Sequence, residues 1–166
     1  MIWFAATVLE EPLDPWQQWI VIHIGELLPD GRPRFRQVLM IVARQNGKTH
    51  LCKVLALYWL FVERIRLVLG TSTKLDYAAE SWHAAVDTAM GIPALAKRIP
   101  KRGGVLKGKG AEQLKTSERC RYRIGTADRT GGRSLPVERL ICDELREHHT
   151  WDAYNAAMYA MNAQPH

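Results

Sequence analysis

Apolar positions along the chain fall into blocks with different periods. Val38, Leu39, Met40, Ile41 and Val42 form an unbroken apolar run, which predicts a buried parallel strand. The run breaks into Ala43-Arg44-Gln45-Asn46-Gly47-Lys48-Thr49. From His50 to Val62 a continuous apolar, helix-compatible segment follows, carrying Leu51, Val54, Leu55, Leu57, Tyr58 and Phe61. Arg66 to Thr71 predicts a second short buried strand, and Lys74 to Met90 a helix with Ala78, Ala79, Trp82, Ala85, Val86 and Ala89 at helical spacing. A third short strand, Leu140 to Cys142, ends in Asp143-Glu144, and a further helix is expected around Trp151 to Met161. Residues 1 to 36 form a leading segment in which Pro12, Pro15, Pro29, Gly31 and Pro33 punctuate one helix, Pro15 to Leu27.

The strand, turn and helix around Gly47 carry the first chemistry. Such a unit aims backbone N–H groups and the positive end of a helix dipole at one point, where an anion sits readily. Lys48 can reach the β- and γ-phosphates of a nucleotide there, and the Thr49 hydroxyl can hold Mg²⁺. The general phosphate-loop pattern, G-x-x-x-x-G-K-[ST], is met in part: Gly47 is its second glycine, and Val42 stands where the first belongs. At the carboxyl end of a strand beside such a loop, Asp143 can accept a hydrogen bond from a Mg²⁺-bound water. Glu144 can polarise the water that attacks the γ-phosphate.

Bulk properties narrow the setting. At 166 residues, 47% hydrophobic and 24% charged, the chain suits one globular domain with a substantial core. Its net charge of +6 favours a polyanionic partner. Lys and Arg concentrate between Lys97 and Arg133 among glycines. That stretch reads either as a solvated loop-and-hairpin region or as a surface that touches a phosphate backbone. Cys52, Cys120 and Cys142 have no C-x-x-C spacing, which indicates neither a zinc site nor a disulfide framework and fits a reducing cytosol. No membrane span is expected, because Val54 to Val62 is shorter than the roughly 20 apolar residues a bilayer requires. His148 and His149 lack a metal-ligand spacing and are placed in a solvated loop.

Several separate segments together resemble the ATPase domain of the phage large terminase subunit, the motor that packages DNA into tailed-phage heads. Ala43 to Thr49 is similar to that family's deviant Walker A, which replaces the first glycine and carries an Arg-Gln pair. Leu140 to Glu144 is similar to its Walker B with the catalytic glutamate, and Leu13-Asp14-Pro15-Trp16-Gln17 to its upstream adenine motif. The resemblance implies an α/β P-loop NTPase of the ASCE, RecA-like kind: a three-layer sandwich with a mainly parallel sheet, incomplete at the C-terminus. It implies ATP and Mg²⁺ as cofactors, held by Gln45, Asn46, Gly47, Lys48 and Thr49. Arg44 would sense or stabilise the γ-phosphate, Asp143 would serve the metal, Glu144 would be the general base and Gln17 would read the adenine.

By the same resemblance the partners are double-stranded DNA, a small terminase subunit and a portal protein, with a homo-oligomeric ring in the intact protein and a cytoplasmic location in the host cell. Terminases of this kind continue into a coupling-motif strand and a nuclease domain, neither of which follows here. The chain is therefore expected to be a single partial ATPase domain over 1–166, arising from a degraded prophage gene, a split subunit or a truncation. Such a piece is expected to bind ATP weakly, hydrolyse it poorly and associate through an open sheet edge. The competing readings are a helicase-like ATPase, which shares an upstream glutamine and the Asp-Glu pair, and a non-catalytic remnant that binds DNA.

Overall fold

The computed structural model describes residues 1–43, 45–72, 75–108, 111–126 and 136–143. Its centre is a five-stranded sheet made of β1 (Leu67–Ser72), β2 (Val105–Leu106), β3 (Gln113–Lys115), β4 (Arg121–Thr126) and β5 (Arg139–Cys142), in the order β2-β3-β4-β1-β5. β1 runs parallel to both β4 and β5, whereas β2–β3 and β3–β4 are antiparallel. The sheet is thus mixed, which corrects the expectation of a mainly parallel one. The cause is local: β3 returns as β4 through Thr116 to Cys120, and so short a connection can join only antiparallel strands.

Helices α1 (Pro15–Ile24), α2 (Lys48–Phe61), α3 (Leu75–Gly91) and α4 (Pro93–Ala96) accompany the sheet, and a π-helical turn, Phe4–Val8, precedes them. α2 is apolar almost all round, and Leu51, Val54, Ala56, Leu57 and Leu60 are fully buried. They join Trp82, Ala85 and Ala89 of α3 and Val68, Tyr122 and Ile124 of the sheet in one core. Burial at this face, at about 25 cal/mol per Å² of apolar surface, is the main force that fixes α2 against the strands. A small second cluster, Leu67, Leu69 and Val137 with Leu140, lies on the other face of the sheet.

One expectation about a strand needs revision. Val38 to Val42 forms no strand and is not buried: Leu39 is 71% and Ile41 89% exposed. An apolar run becomes a strand only where a neighbour pairs its backbone N–H and C=O groups. Among the described residues the sheet ends at β5, and nothing pairs with this run. The basic stretch, read either as loop and hairpin or as a phosphate-contacting surface, does hold a hairpin, β3 to β4, whose second strand is a central one. Tyr122 and Ile124 alternate inward between Arg121 and Arg123, and the strand lies beside β1 in the middle of the sheet. The helix expected around Trp151 to Met161 and the loop with His148 and His149 lie outside the described residues.

Candidate functional site

The site forms where the carboxyl ends of β1 and β5 meet the start of α2. Gly47 is the N-cap of α2 and has φ of 76°, a left-handed conformation that glycine adopts without steric cost. Gln45 is left-handed too, at 62°, which is uncommon for a residue with a side chain. These two residues turn the chain sharply enough to enter the helix at Lys48. A helix N-terminus aims its first N–H groups and the positive end of its dipole outward, a setting that suits an anion.

Lys48, in the first turn of α2, extends its ammonium to the end of β5, where Nζ lies 2.6 Å from Asp143 Oδ1. Asp143 is itself fixed by its backbone N–H, which donates to Thr71 O at 2.8 Å. Thr49, Gln45 and Asn46 are exposed around the same turn. The structure therefore brings Gly47, Lys48 and Asp143 together, with Thr49 one residue along the helix. Arg44 and Glu144 lie outside the described residues.

Gln17 has a different environment from the base-facing one implied by the resemblance. It is fully buried, its Oε1 accepts from Asp14 N at 2.8 Å, and its Nε2 donates to Gly47 O at 2.9 Å. One amide thus caps α1 and clamps the turn before α2. The first contact was legible as an Asp-x-x-Gln capping pattern. Nothing in local sequence signals the second, which spans thirty residues. Beside the clamp lies a groove of about 640 Å³ lined by Trp16, Trp19, Ile20, the 38–43 segment and Asn46.

Around this centre the polar groups are structural or inert. Glu11 pairs with Lys53 at 2.5 Å and faces His50 at 3.4 Å, which ties the leading segment to α2. Burial, reinforced by the negative charge of Asp143, pushes the Cys52 thiol up to about 12, and burial alone pushes Cys142 to about 11. Both thiols are protonated at neutral pH and poor nucleophiles. In the basic stretch, Arg98 is committed to Glu118 and to Phe61 O, each at 2.8 Å. Lys97, Lys101, Arg102, Lys107 and Arg119 are exposed. Lys109, Arg129 and Arg133 lie outside the described residues.

Among the described residues no helix is long and apolar enough to cross a membrane, and no group of three or more His, Cys, Asp or Glu side chains could hold a metal by itself. No protein-family model and no curated protein matches the chain. A solved structure does: the HK97 bacteriophage large terminase, with a TM-score of 0.78 and 20% sequence identity over 93% of this chain. The match covers 32% of that protein, so the chain spans about a third of its length. At this identity the likeness is one of fold: the chain has the α/β fold of part of a bacteriophage large terminase.

Proposed function

We propose that the chain is the ATP-binding motor portion of a terminase large subunit, built as a P-loop ATPase of the ASCE kind. The observation that carries this reading is the convergence of left-handed Gly47, the Lys48 ammonium and the Asp143 carboxylate where β5 meets the start of α2.

In this reading the N–H groups of Gln45 to Thr49 and the Lys48 ammonium bind the phosphates of ATP. Thr49 and Asp143 supply hard oxygen donors, the kind Mg²⁺ takes one or two of while keeping most of its water. The donor set therefore fits that ion, which would neutralise phosphate charge when bound. Glu144 follows Asp143 directly and is assigned the water-orienting role; Arg44 is assigned to developing charge on the γ-phosphate. Gln17 acts here by holding Gly47, and the Trp16 and Trp19 groove supplies aromatic surface for the adenine.

Double-stranded DNA is the proposed polyanionic partner, with exposed Lys97, Lys101, Arg102, Lys107 and Arg119 as candidate phosphate contacts. A small terminase subunit, a portal protein and a homo-oligomeric ring are proposed for the intact protein only.

Single-turnover ATP hydrolysis with and without double-stranded DNA separates a motor from an inert nucleotide binder. Wild-type chain is expected to turn over its bound ATP slowly, with a modest gain from DNA, and Glu144→Gln to be slower still by about 100-fold, the usual contribution of a general base. Identical background rates for the two proteins, unaffected by DNA, would replace this reading with that of a non-catalytic remnant.

A further inference from the structure

The Lys48–Asp143 ion pair sits where a nucleotide would need both groups for other work. A lysine drawn onto phosphate gives up its contact with the strand-end carboxylate, and a further donor beside Asp143 would help to keep that carboxylate oriented.

Ser72, the last residue of β1, meets the requirement. Its side chain is fully buried, yet its Oγ has no hydrogen-bond partner. A buried hydroxyl without a partner costs about 1–3 kcal/mol, and each such group in a folded protein calls for a reason. The sheet register supplies one. Val68 pairs with Arg139, Gly70 with Ile141 and Thr71 with Cys142, so Ser72 and Asp143 stand side by side one step further. Paired residues on parallel strands project to the same face.

That face is the one covered by α2. A Cβ added at Gly70 would point at Tyr122 Oη, 3.1 Å away, and Ile141 packs against the core that contains Leu51 and Val54. Ser72 and Asp143 therefore project toward the helix that carries Lys48. The neighbouring unpartnered hydroxyl, Thr71 Oγ1, belongs to the opposite face with Leu67 and Leu69.

We propose that Ser72 is a positioning residue for Asp143: its hydroxyl donates to the Asp143 carboxylate once Lys48 moves to phosphate, and so holds the carboxylate ready for a phosphate-bound divalent cation. This rests on the nucleotide reading of the site. Ser72 touches neither nucleotide nor metal; it acts through Asp143. The exchange accounts for an unpaired, dry hydroxyl on the face of β1 that Val68 and Gly70 otherwise make apolar.

The test is titration of a fluorescent ATP analogue into wild type, Ser72→Ala and Ser72→Thr, each with Mg²⁺ and with EDTA, alongside the melting temperature of the unliganded proteins. Ser72→Ala is expected to lose about tenfold in affinity in Mg²⁺ only, as befits one hydrogen bond to a charged group. Its EDTA affinity should be unchanged and its unliganded melting temperature equal or higher, because an unpaired buried hydroxyl has gone. Ser72→Thr should restore the Mg²⁺ affinity. Equal Mg²⁺ affinity for wild type and Ser72→Ala would overturn the proposal and leave the nucleotide reading standing. Equal losses in Mg²⁺ and EDTA would overturn it too, as a general structural defect. Failure of wild type to bind the analogue at all would overturn both.

Discussion

Gly47→Ala is expected to destabilise the protein by about 2–4 kcal/mol and to weaken nucleotide binding in parallel. Two physical costs add. A residue with a side chain at φ of 76° is strained by about 1–2 kcal/mol. The new Cβ would also fall 2.8 Å from Gln17 Nε2, too close to coexist with that amide. Gln17 cannot swing away cheaply, because it is fully buried and bonded at both ends. Displacing it leaves buried polar atoms unpaired, at about 1–3 kcal/mol. Urea unfolding measures the loss, and a double-mutant cycle with Gln17→Ala identifies its origin. The two substitutions should be clearly less than additive. A loss below about 1 kcal/mol for Gly47→Ala, or strict additivity, would show that the clamp does not hold the turn.

Trp82→Ala is expected to cost about 3–5 kcal/mol, enough to unfold much of the population at 37 °C if the domain has ordinary stability. Trp82 is fully buried at the centre of α3, packs in the core shared with α2 and the sheet, and donates from Nε1 to Tyr122 O at 3.4 Å. Removing the indole opens a large cavity between helix and strand and withdraws that donor. The effect should reach the site, because α3 and the sheet form the surface that α2 packs on. Trp82→Phe refills most of the volume and should cost well under half as much. Thermal unfolding of the two variants decides the matter: a Trp82→Ala protein that melts within a few degrees of wild type would mean that this core does not hold the fold.

Much of the site could be read from residue order. Gly47, Lys48 and Asp143 stand at an expected helix start and strand end, and the structure brings Lys48 and Asp143 within ion-pair reach. Strands Leu67–Ser72 and Arg139–Cys142 and helices Lys48–Phe61 and Leu75–Gly91 also lie close to where apolar spacing puts them. The error over Val38 to Val42 has a physical cause. Spacing describes which faces a segment offers, not whether a partner meets them. Val38 to Val42 has the composition of a buried strand but no paired neighbour among the described residues, so it lies exposed beside α1. The hairpin reading of the basic stretch holds for β3 and β4, and the central place of β4 rests on Tyr122 and Ile124, which alternate as the buried face of a strand between arginines.

Long-range contacts were the least legible. The bond from Gln17 to Gly47 joins two motifs that the sequence shows as separate. Ser72 looks like an ordinary strand residue until the register sets it beside Asp143. Both are consequences of how elements pack, and no local pattern encodes them.

Calorimetric titration of Mg·ATP into wild type and Lys48→Ala tests the central claim most directly. Asp143 is mostly buried, so the unliganded variant should lose some stability yet stay folded, which its melting temperature checks. Wild type should bind with one site per chain, and Lys48→Ala should lose at least about tenfold in affinity, the value of one charge-assisted contact to phosphate. Equal binding by both proteins, or no binding by a folded wild type, would contradict the assignment of this turn as a nucleotide site.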